Sequence, residues 1–174
     1  IGEFSPEKLI ILGKGEASIF HIQQEMNSLF PRLNLVSVIG DVRNGQKIEG
    51  LFARHRVNVV FHAAAHKHVH FMERDPDEAV STNVLGTRNV AMMASKYGAS
   101  RFTLISTDKA VMPTSVMGAA KRVAELVVQQ LAEESRLTQF ITVRFGNVLG
   151  SRGSVVPRFE RQIADGGPVT VTHP

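Results

Sequence analysis

Ser106-Thr107-Asp108-Lys109 sets two hydroxyls, a carboxylate and an amine in four consecutive residues, directly after the apolar run from Phe102 to Ile105. A carboxyl beside an amine can supply one acid and one base where the surroundings drive their pKa values apart. A neighbouring hydroxyl can orient a substrate hydroxyl. The bland alternative is an Asp-Lys pair on a surface loop, worth little. Position favours chemistry: a buried strand that breaks off into such groups presents them at the carboxyl edge of a sheet, where open α/β sheets bind ligands. After a turn at Pro113 the chain enters a predicted helix that brings a further amine, Lys121, to this region.

Other strand ends carry weaker signals. Asp41 can accept a hydrogen bond from an amine such as that of an adenine ring, or cap the helix that follows. Ala63, Ala64 and Ala65 offer no side-chain chemistry, but their small size lets a flat ligand approach the backbone, or lets a helix pack close to the sheet. Lys67 can meet a phosphate. His62, His66, His68 and His70 alternate, as residues on one face of an extended segment do. No carboxylate ligand is arranged with them and a helix would splay them, so they read as loop and helix-start histidines, with no metal site. Asn83 lies on the polar side of an otherwise apolar helix, where its amide can bridge neighbouring strand ends. Asn147 is either a substrate-facing amide or a turn residue in Gly146-Asn147-Val148.

These groups need a scaffold, and the apolar pattern supplies one. Runs at Lys8 to Leu12, Leu35 to Ile39, Val57 to Phe61, Phe102 to Ile105 and Phe140 to Arg144 predict five strands. Helical spacing predicts helices over Ser18 to Leu29, Gln46 to His55, Asp77 to Tyr97 (closed by Gly98 as C-cap), Met117 to Glu134 and Pro157 to Ala164. A short strand is expected at Val169 to Val171. Strands alternating with helices give βαβ units and a parallel sheet. Continuous apolar runs indicate a sheet covered on both faces. The expected class is therefore α/β, a doubly wound parallel sheet.

Composition sets the bounds. The 174 residues are 43% apolar and 21% charged, enough for one domain with a core. Twenty Lys and Arg against 16 Asp and Glu give a formal +4. The basic residues are scattered rather than clustered, which suits a small anionic ligand better than nucleic acid. The absence of cysteine excludes a disulfide framework and thiolate chemistry and fits a reducing compartment. No apolar run approaches the length of a membrane span, and no signal peptide is visible. Both ends look cut, and Ile1-Gly2-Glu3-Phe4 reads equally as natural sequence or a cloning remnant.

Four segments together resemble one family. They are Val60-Phe61-His62-Ala63-Ala64-Ala65-His66-Lys67-His68-Val69, Thr82-Asn83-Val84-Leu85-Gly86-Thr87, Ser106-Thr107-Asp108-Lys109-Ala110-Val111-Met112-Pro113-Thr114, and the run from Val143 to Val155. In order and spacing they look like the polysaccharide-biosynthesis branch of the extended short-chain dehydrogenases, with its bacterial nucleotide-sugar 4,6-dehydratases acting on UDP-N-acetylglucosamine. The resemblance implies a Rossmann-like fold, an NAD or NADP cofactor and a cycle without net redox change: C4 oxidation, loss of water across C5 and C6, and hydride return to C6. By resemblance Lys109 is the base, Asp108 the acid, and Thr107 with Asp108 assists C4 oxidation. Lys121 binds the nicotinamide ribose. The adenosine side of the cofactor is expected near Gly13, Lys14, Ser18, Asp41 and Val42, and the remaining cofactor contacts near Ala63, Ala64, Asn83 and Val148. The sugar nucleotide is expected at Lys67, Asn147, Ser151, Arg152, Gly153 and Ser154.

Two departures from the family pattern carry information. The usual Tyr-x-x-x-Lys is Met117-Gly118-Ala119-Ala120-Lys121, and the sole tyrosine, Tyr97, lies on another helix. A thioether takes no proton, and the methionine form resembles the subgroup that retains configuration at C5. The family's opening strand and glycine-rich pyrophosphate loop have no counterpart either, so residues 1–150 read as a partial NAD(P)-binding domain and 151–174 as the start of a substrate-binding region. Weak or no cofactor binding is expected of this piece alone. Lys14 permits a 2′-phosphate, which leaves NAD and NADP both open. The other expectations are a homo-oligomer with a UDP-sugar as partner and a cytoplasmic location. Any membrane contact would come only through an N-terminal region such as many relatives carry. A UDP-sugar epimerase of the same branch and a non-catalytic NAD(P)-sensing domain are the alternative functions.

Overall fold

The computed structural model describes residues 1–148 and 155–170. The apolar runs form strands β1 (Leu9–Gly13), β2 (Leu35–Ile39), β3 (Val59–His62), β4 (Arg101–Thr107) and β5 (Gln139–Phe145). Helices α1 (Glu16–Leu29) and α2 (Gly45–His55) follow β1 and β2. Short helices α3 (Val69–Arg74) and α4 (Pro76–Ala79) precede α5 (Thr87–Lys96), and α6 (Val116–Glu134) links β4 to β5. The last element, α7 (Val155–Ala164), begins two residues earlier than the sequence pattern suggests.

All pairing is parallel. β1 pairs β2 from Leu9↔Leu35 to Gly13↔Ile39. β4 is the centre of a second ladder, β3-β4-β5, with Val59↔Arg101 on one side and Thr107↔Phe145 at the far end of the other. Among the described residues no pairing joins the two ladders. In a doubly wound sheet of strand order 3-2-1-4-5-6, taking out strand 1 leaves a pair and a triplet of this kind. The fold is α/β, as the alternating pattern predicts, and Rossmann-like, as the resemblance implies.

The core lies between the β4 ladder and the helices. Ile48 and Phe52 of α2, Val90, Ala91 and Ala94 of α5, and Ala124 and Val128 of α6 meet Phe102 and Leu104 of β4. A smaller cluster joins Met72, Ala79, Val84, Met117 and Ala120, and it holds the start of α6 against α3 and α4. Caps set the helix entries. The Asn44 side chain accepts from the Lys47 amide at 3.0 Å to start α2. For α6, Ser115 accepts from the Gly118 amide at 3.1 Å and Glu73 from the Val116 amide at 2.7 Å. Gly98 takes the left-handed conformation, φ 68°, just beyond α5, as expected of a C-cap.

The structure corrects two expectations. The single helix from Asp77 to Tyr97 is α4 and α5 joined by a π-helical turn, Val80–Gly86. One local bond and one close tertiary contact lie at the widened turn. Thr87 Oγ1 donates to the Asn83 carbonyl at 2.6 Å, and Gly86 lies so close to Val42 that an added Cβ would sit 2.5 Å from the Val42 side chain. The expected strand at Val169 to Val171 is not formed at residues 169 and 170, which pair with no neighbouring strand; residue 171 lies outside the described residues. Instead Thr170 bonds the Gln162 side chain of α7.

Candidate functional site

β4 runs two residues beyond the expected Ile105, because Ser106 and Thr107 still pair with Arg144 and Phe145 of β5. Asp108–Ala110 then winds into one 3-10 turn, capped where Thr107 Oγ1 accepts from the Lys109 amide at 3.4 Å. That turn gathers the reactive groups. Thr107 Oγ1 donates to Asp108 Oδ1 at 2.8 Å, and Lys109 Nζ donates to the same oxygen at 3.0 Å. Lys109 Nζ also reaches Asn147 Oδ1, on the segment after β5, at 3.5 Å. The Lys109 ammonium and the Thr107 hydroxyl hold the Asp108 carboxyl below its ordinary pKa. In the resting arrangement Asp108 is therefore the carboxylate of the pair. The side chains of both Asp108 and Lys109 are more than a third exposed, open to a ligand.

Two glycines permit this crowding. An added Cβ at Gly118, in the first turn of α6, would lie 2.5 Å from the Lys109 carbonyl oxygen. One at Gly146 would lie 3.3 Å from Asp108 Oδ2. Lys121, one turn further along α6, is 4% exposed and donates to the Ile105 carbonyl at 2.6 Å. Burial brings its pKa down to about 8, against the opposing pull of the Glu125 charge. Met117 is buried in the smaller core cluster, so its thioether packs and presents no acid or base.

At the neighbouring strand ends, Asp41 accepts from the Arg43 guanidinium at 2.7 and 3.0 Å and from the Arg43 amide at 3.0 Å. Lys14 lies 3.4 Å from the same carboxylate. The bonds from Arg43 hold Asp41 well below the usual carboxylate range in spite of partial burial. Arg43 continues to Glu78 at 3.2 Å, and Glu78 to His66 at 3.4 Å. A chain of polar contacts thus runs from the end of β1 to the loop after β3. Asp41 does not cap α2, since Asn44 does.

Asn83, fully buried, accepts from the His66 amide at 2.7 Å and donates to the His66 carbonyl at 3.0 Å. It ties the π-helical turn to the loop after β3 rather than bridging two strands. His62 stacks on Phe102 and its Nε2 lies 3.0 Å from Thr87 Oγ1. Because that hydroxyl gives its proton to Asn83, the ring nitrogen is the donor. Burial, with the Lys121 charge, lowers the His62 pKa to about 3.

The remaining predicted positions fall as follows. Gly13 closes β1, and Ser18 is exposed in the first turn of α1. Ala63 is exposed and Ala64 packs against the core. Lys67 lines an open cleft with His66, His68 and Phe71. Val148 is exposed beside Asn147. The Val42 side chain is 5% exposed in the core, so only its backbone is left to face a ligand. Ser151, Arg152, Gly153 and Ser154 lie outside the described residues. Among the described residues no group of three or more His, Asp or Glu side chains could hold a metal ion, and no helix is long and apolar enough to cross a membrane.

Sequence reasoning missed the Arg43–Glu78 link and a buried carboxylate, Glu125, bound by Ser106, Arg122 and Arg144. Glu125 had a legible signal. It occurs on the apolar face of α6, four residues from Lys121, where an acid must be paired to be tolerated.

Comparison with known proteins identifies the family and the fold. The family model described as polysaccharide biosynthesis protein matches residues 1–174. The capsular polysaccharide biosynthesis protein CapD of Staphylococcus aureus is 53% identical over the whole chain, which spans 29% of that protein's length. A UDP-glucose 4-epimerase of Rickettsia rickettsii is 42% identical over 154 residues, 87% of this chain and 45% of that one. Among solved structures, Pen from Bacillus thuringiensis superposes with a TM-score of 0.87 at 37% identity, covering 97% of this chain and 51% of that one. A dTDP-glucose 4,6-dehydratase, DesIV of Streptomyces venezuelae solved with NAD bound, shares the fold at a TM-score of 0.76 and 20% identity, covering 94% of this chain and 54% of that one. The chain belongs to the polysaccharide biosynthesis protein family.

Proposed function

We propose that this member of the polysaccharide biosynthesis family carries the proton-transfer edge of a nucleotide-sugar 4,6-dehydratase, which converts UDP-N-acetylglucosamine to a UDP-4-keto-6-deoxy sugar. The observation that carries the reading is the bonded group Thr107, Asp108, Lys109 and Asn147 at the ends of β4 and β5, with a buried methionine where a tyrosine base would stand. Elimination across C5 and C6 needs a base at C5 and an acid at the C6 hydroxyl. The resting pair is an ammonium and a carboxylate, the reverse of those roles. One proton passed along the 3.0 Å bond from Lys109 to Asp108 yields a neutral amine and a carboxylic acid. Covering the pair with a sugar nucleotide favours that transfer, because desolvation penalises charge. The Thr107 hydroxyl, already bonded to Asp108, orients the C4 hydroxyl, whose proton leaves to solvent as the hydride departs from C4, and Asn147 holds the sugar. With no tyrosine phenol at position 117, proton work falls to Thr107, Asp108 and Lys109, in keeping with retention at C5.

The chain's residues fit parts of a nicotinamide dinucleotide. Lys14 and Asp41, 3.4 Å apart at the ends of β1 and β2, suit the adenosine side, and Lys121, buried under β4, suits the nicotinamide ribose. NAD or NADP, when bound, accepts the hydride from C4 and returns it to C6. Residues 1–150 would form part of this cofactor-binding domain and residues 151–174 the start of the substrate-binding region.

The epimerase likeness, 42% identity to a UDP-glucose 4-epimerase, supports a second reading in which the same edge serves C4 chemistry without loss of water. Mass spectrometry of the sugar nucleotide separates the two. The full-length protein, incubated with UDP-N-acetylglucosamine and NAD or NADP, is expected to give a product lighter by one water. An isomer of unchanged mass supports the epimerase, and unchanged substrate overturns the dehydratase assignment.

A further inference from the structure

Glu125 is 5% exposed, and its carboxylate is met by donors from three elements. Ser106 Oγ of β4 donates to Oε1 at 2.6 Å. Arg144 of β5 forks onto both oxygens, Nε to Oε1 at 2.8 Å and Nη2 to Oε2 at 2.6 Å. Arg122, on the same helix, donates to Oε2 at 3.0 Å. Burial alone would raise the carboxyl's pKa, but the bonds from Arg144, Ser106 and Arg122 outweigh it and hold it at about 2. The group is therefore a carboxylate at neutral pH.

Its partners are not arbitrary. Ser106 directly precedes Thr107-Asp108-Lys109, and Arg144 stands three residues before Asn147. Ser106 and Arg144 are also register partners across β4 and β5. Lys121 is one turn before Glu125 on α6. A single carboxylate thus ties together the three elements that deliver the candidate reacting groups, one residue beneath the point where β4 gives way to the 3-10 turn. Only the carboxylate is buried, while the Arg122 and Arg144 side chains are 41% and 39% exposed, so solvent screens the pairs and their net contribution to stability is small. What the bidentate fork adds is directional constraint. The Lys109–Asn147 contact, at 3.5 Å, is long enough that a small change in the strand exits would break it.

We propose that Glu125 is a positioning residue that sets the relative exit of β4 and β5, and thereby the approach of Lys109 to Asn147 over Lys121. Its consequence for turnover rests on the dehydratase reading; the clamp itself does not. Three variants of the full-length protein test it: E125Q keeps the shape and loses the charge, R144K keeps the charge and loses the fork, and S106A removes the β4 contact alone. A misplacement on the order of 1 Å at a reacting group can cost about 100-fold. The expected result is a fall in kcat of about 10- to 100-fold for E125Q and R144K, with KM for UDP-N-acetylglucosamine within about twofold. Hydrogen exchange should quicken in peptides covering residues 104–112 and 143–148, with peptides covering 9–39 unchanged. A loss confined to KM, or kcat within about twofold of wild type in folded R144K and S106A, overturns the proposal. If the wild-type protein leaves the sugar nucleotide unaltered, the dehydratase reading falls and exchange decides the clamp: unaltered protection at 104–112 and 143–148 in R144K and S106A refutes it. Should E125Q not fold, R144K and S106A carry the same test.

Discussion

Gly118→Ala is the sharpest probe of how closely α6 is pressed against the reactive turn. The new Cβ would lie 2.5 Å from the Lys109 carbonyl oxygen, with Ser115 Oγ at 3.2 Å and Pro113 Cβ at 3.3 Å. Carbon–oxygen contacts settle near ~3.3 Å, so the helix start and the turn must part by about 0.8 Å. The obstacle is backbone, which has no rotamer into which it can retreat. Overpacking of this kind costs about 1–3 kcal/mol, while Ala gains about 1 kcal/mol over Gly in a helix interior. Gly50, inside α2, meets nothing within 4 Å, so Gly50→Ala carries the propensity gain alone. Gly118 lies in the first turn of α6, so its own propensity gain is at most that of Gly50. Urea unfolding of the full-length protein should therefore separate them by about 1–3 kcal/mol, with Gly50→Ala the more stable. Because the displaced carbonyl belongs to Lys109 itself, turnover of Gly118→Ala should fall by about 10- to 100-fold, and that of Gly50→Ala should not change. Equal stability for the two variants, with Gly118→Ala retaining turnover within about twofold, would show that the contact is not as tight as the geometry requires.

Two further outcomes follow from the same site. Asp108→Asn keeps the hydrogen-bonding shape but has no proton to exchange with Lys109, and Lys109→Ala removes the proposed base. Each should lower the rate of water loss by about 100-fold or more, and the double variant should be little worse than either alone; turnover surviving in the double variant would refute the assigned roles. Lys121 supplies a test through pH. Its folded pKa, about 8, lies below the ordinary 10.5, so between these values the unfolded chain binds a proton that the folded one does not. Stability should accordingly rise with pH across that window, an increment that is absent below it. Lys121→Met should flatten the rise, read from urea midpoints at a series of alkaline pH values; identical slopes for wild type and variant would refute a depressed Lys121.

The sequence-level reading succeeded where local pattern and buried position say the same thing. A run such as Phe102-Thr103-Leu104-Ile105 with a hydrophilic break after it can hardly be anything but a strand aimed at a sheet edge. The later pairing of Asp108, Lys109 and Asn147 follows from the parallel register of β4 and β5. What escaped detection depends on partners distant in sequence. β4 is prolonged by Ser106↔Arg144 and Thr107↔Phe145, contacts that a hydropathy pattern does not contain. At the π-helical turn Gly86 accommodates Val42, 44 residues earlier by position, and Thr87 serves both Asn83 and His62. Periodicity sees only a helix there. Val42 is legible in part: its hydrophobic side chain indicates the core, where it is 5% exposed, and only its backbone is left for the cofactor that the family correspondence expects there.

Glu125 joins both lessons. Its place among Ala120, Ala124 and Val128 on the buried face of α6 marks it as an acid in need of partners, and that much can be read from spacing alone. Which partners it takes is decided only by folding, when two strands bring Ser106 and Arg144 to either oxygen. The catalytic-looking groups at the surface are consecutive and conspicuous, whereas the group that fixes their separation is buried and assembled from three segments. The more exposed a reacting pair is, the more its geometry has to be set from beneath. A substitution at Arg144 that retains charge should then alter turnover more than its distance from the reacting atoms suggests.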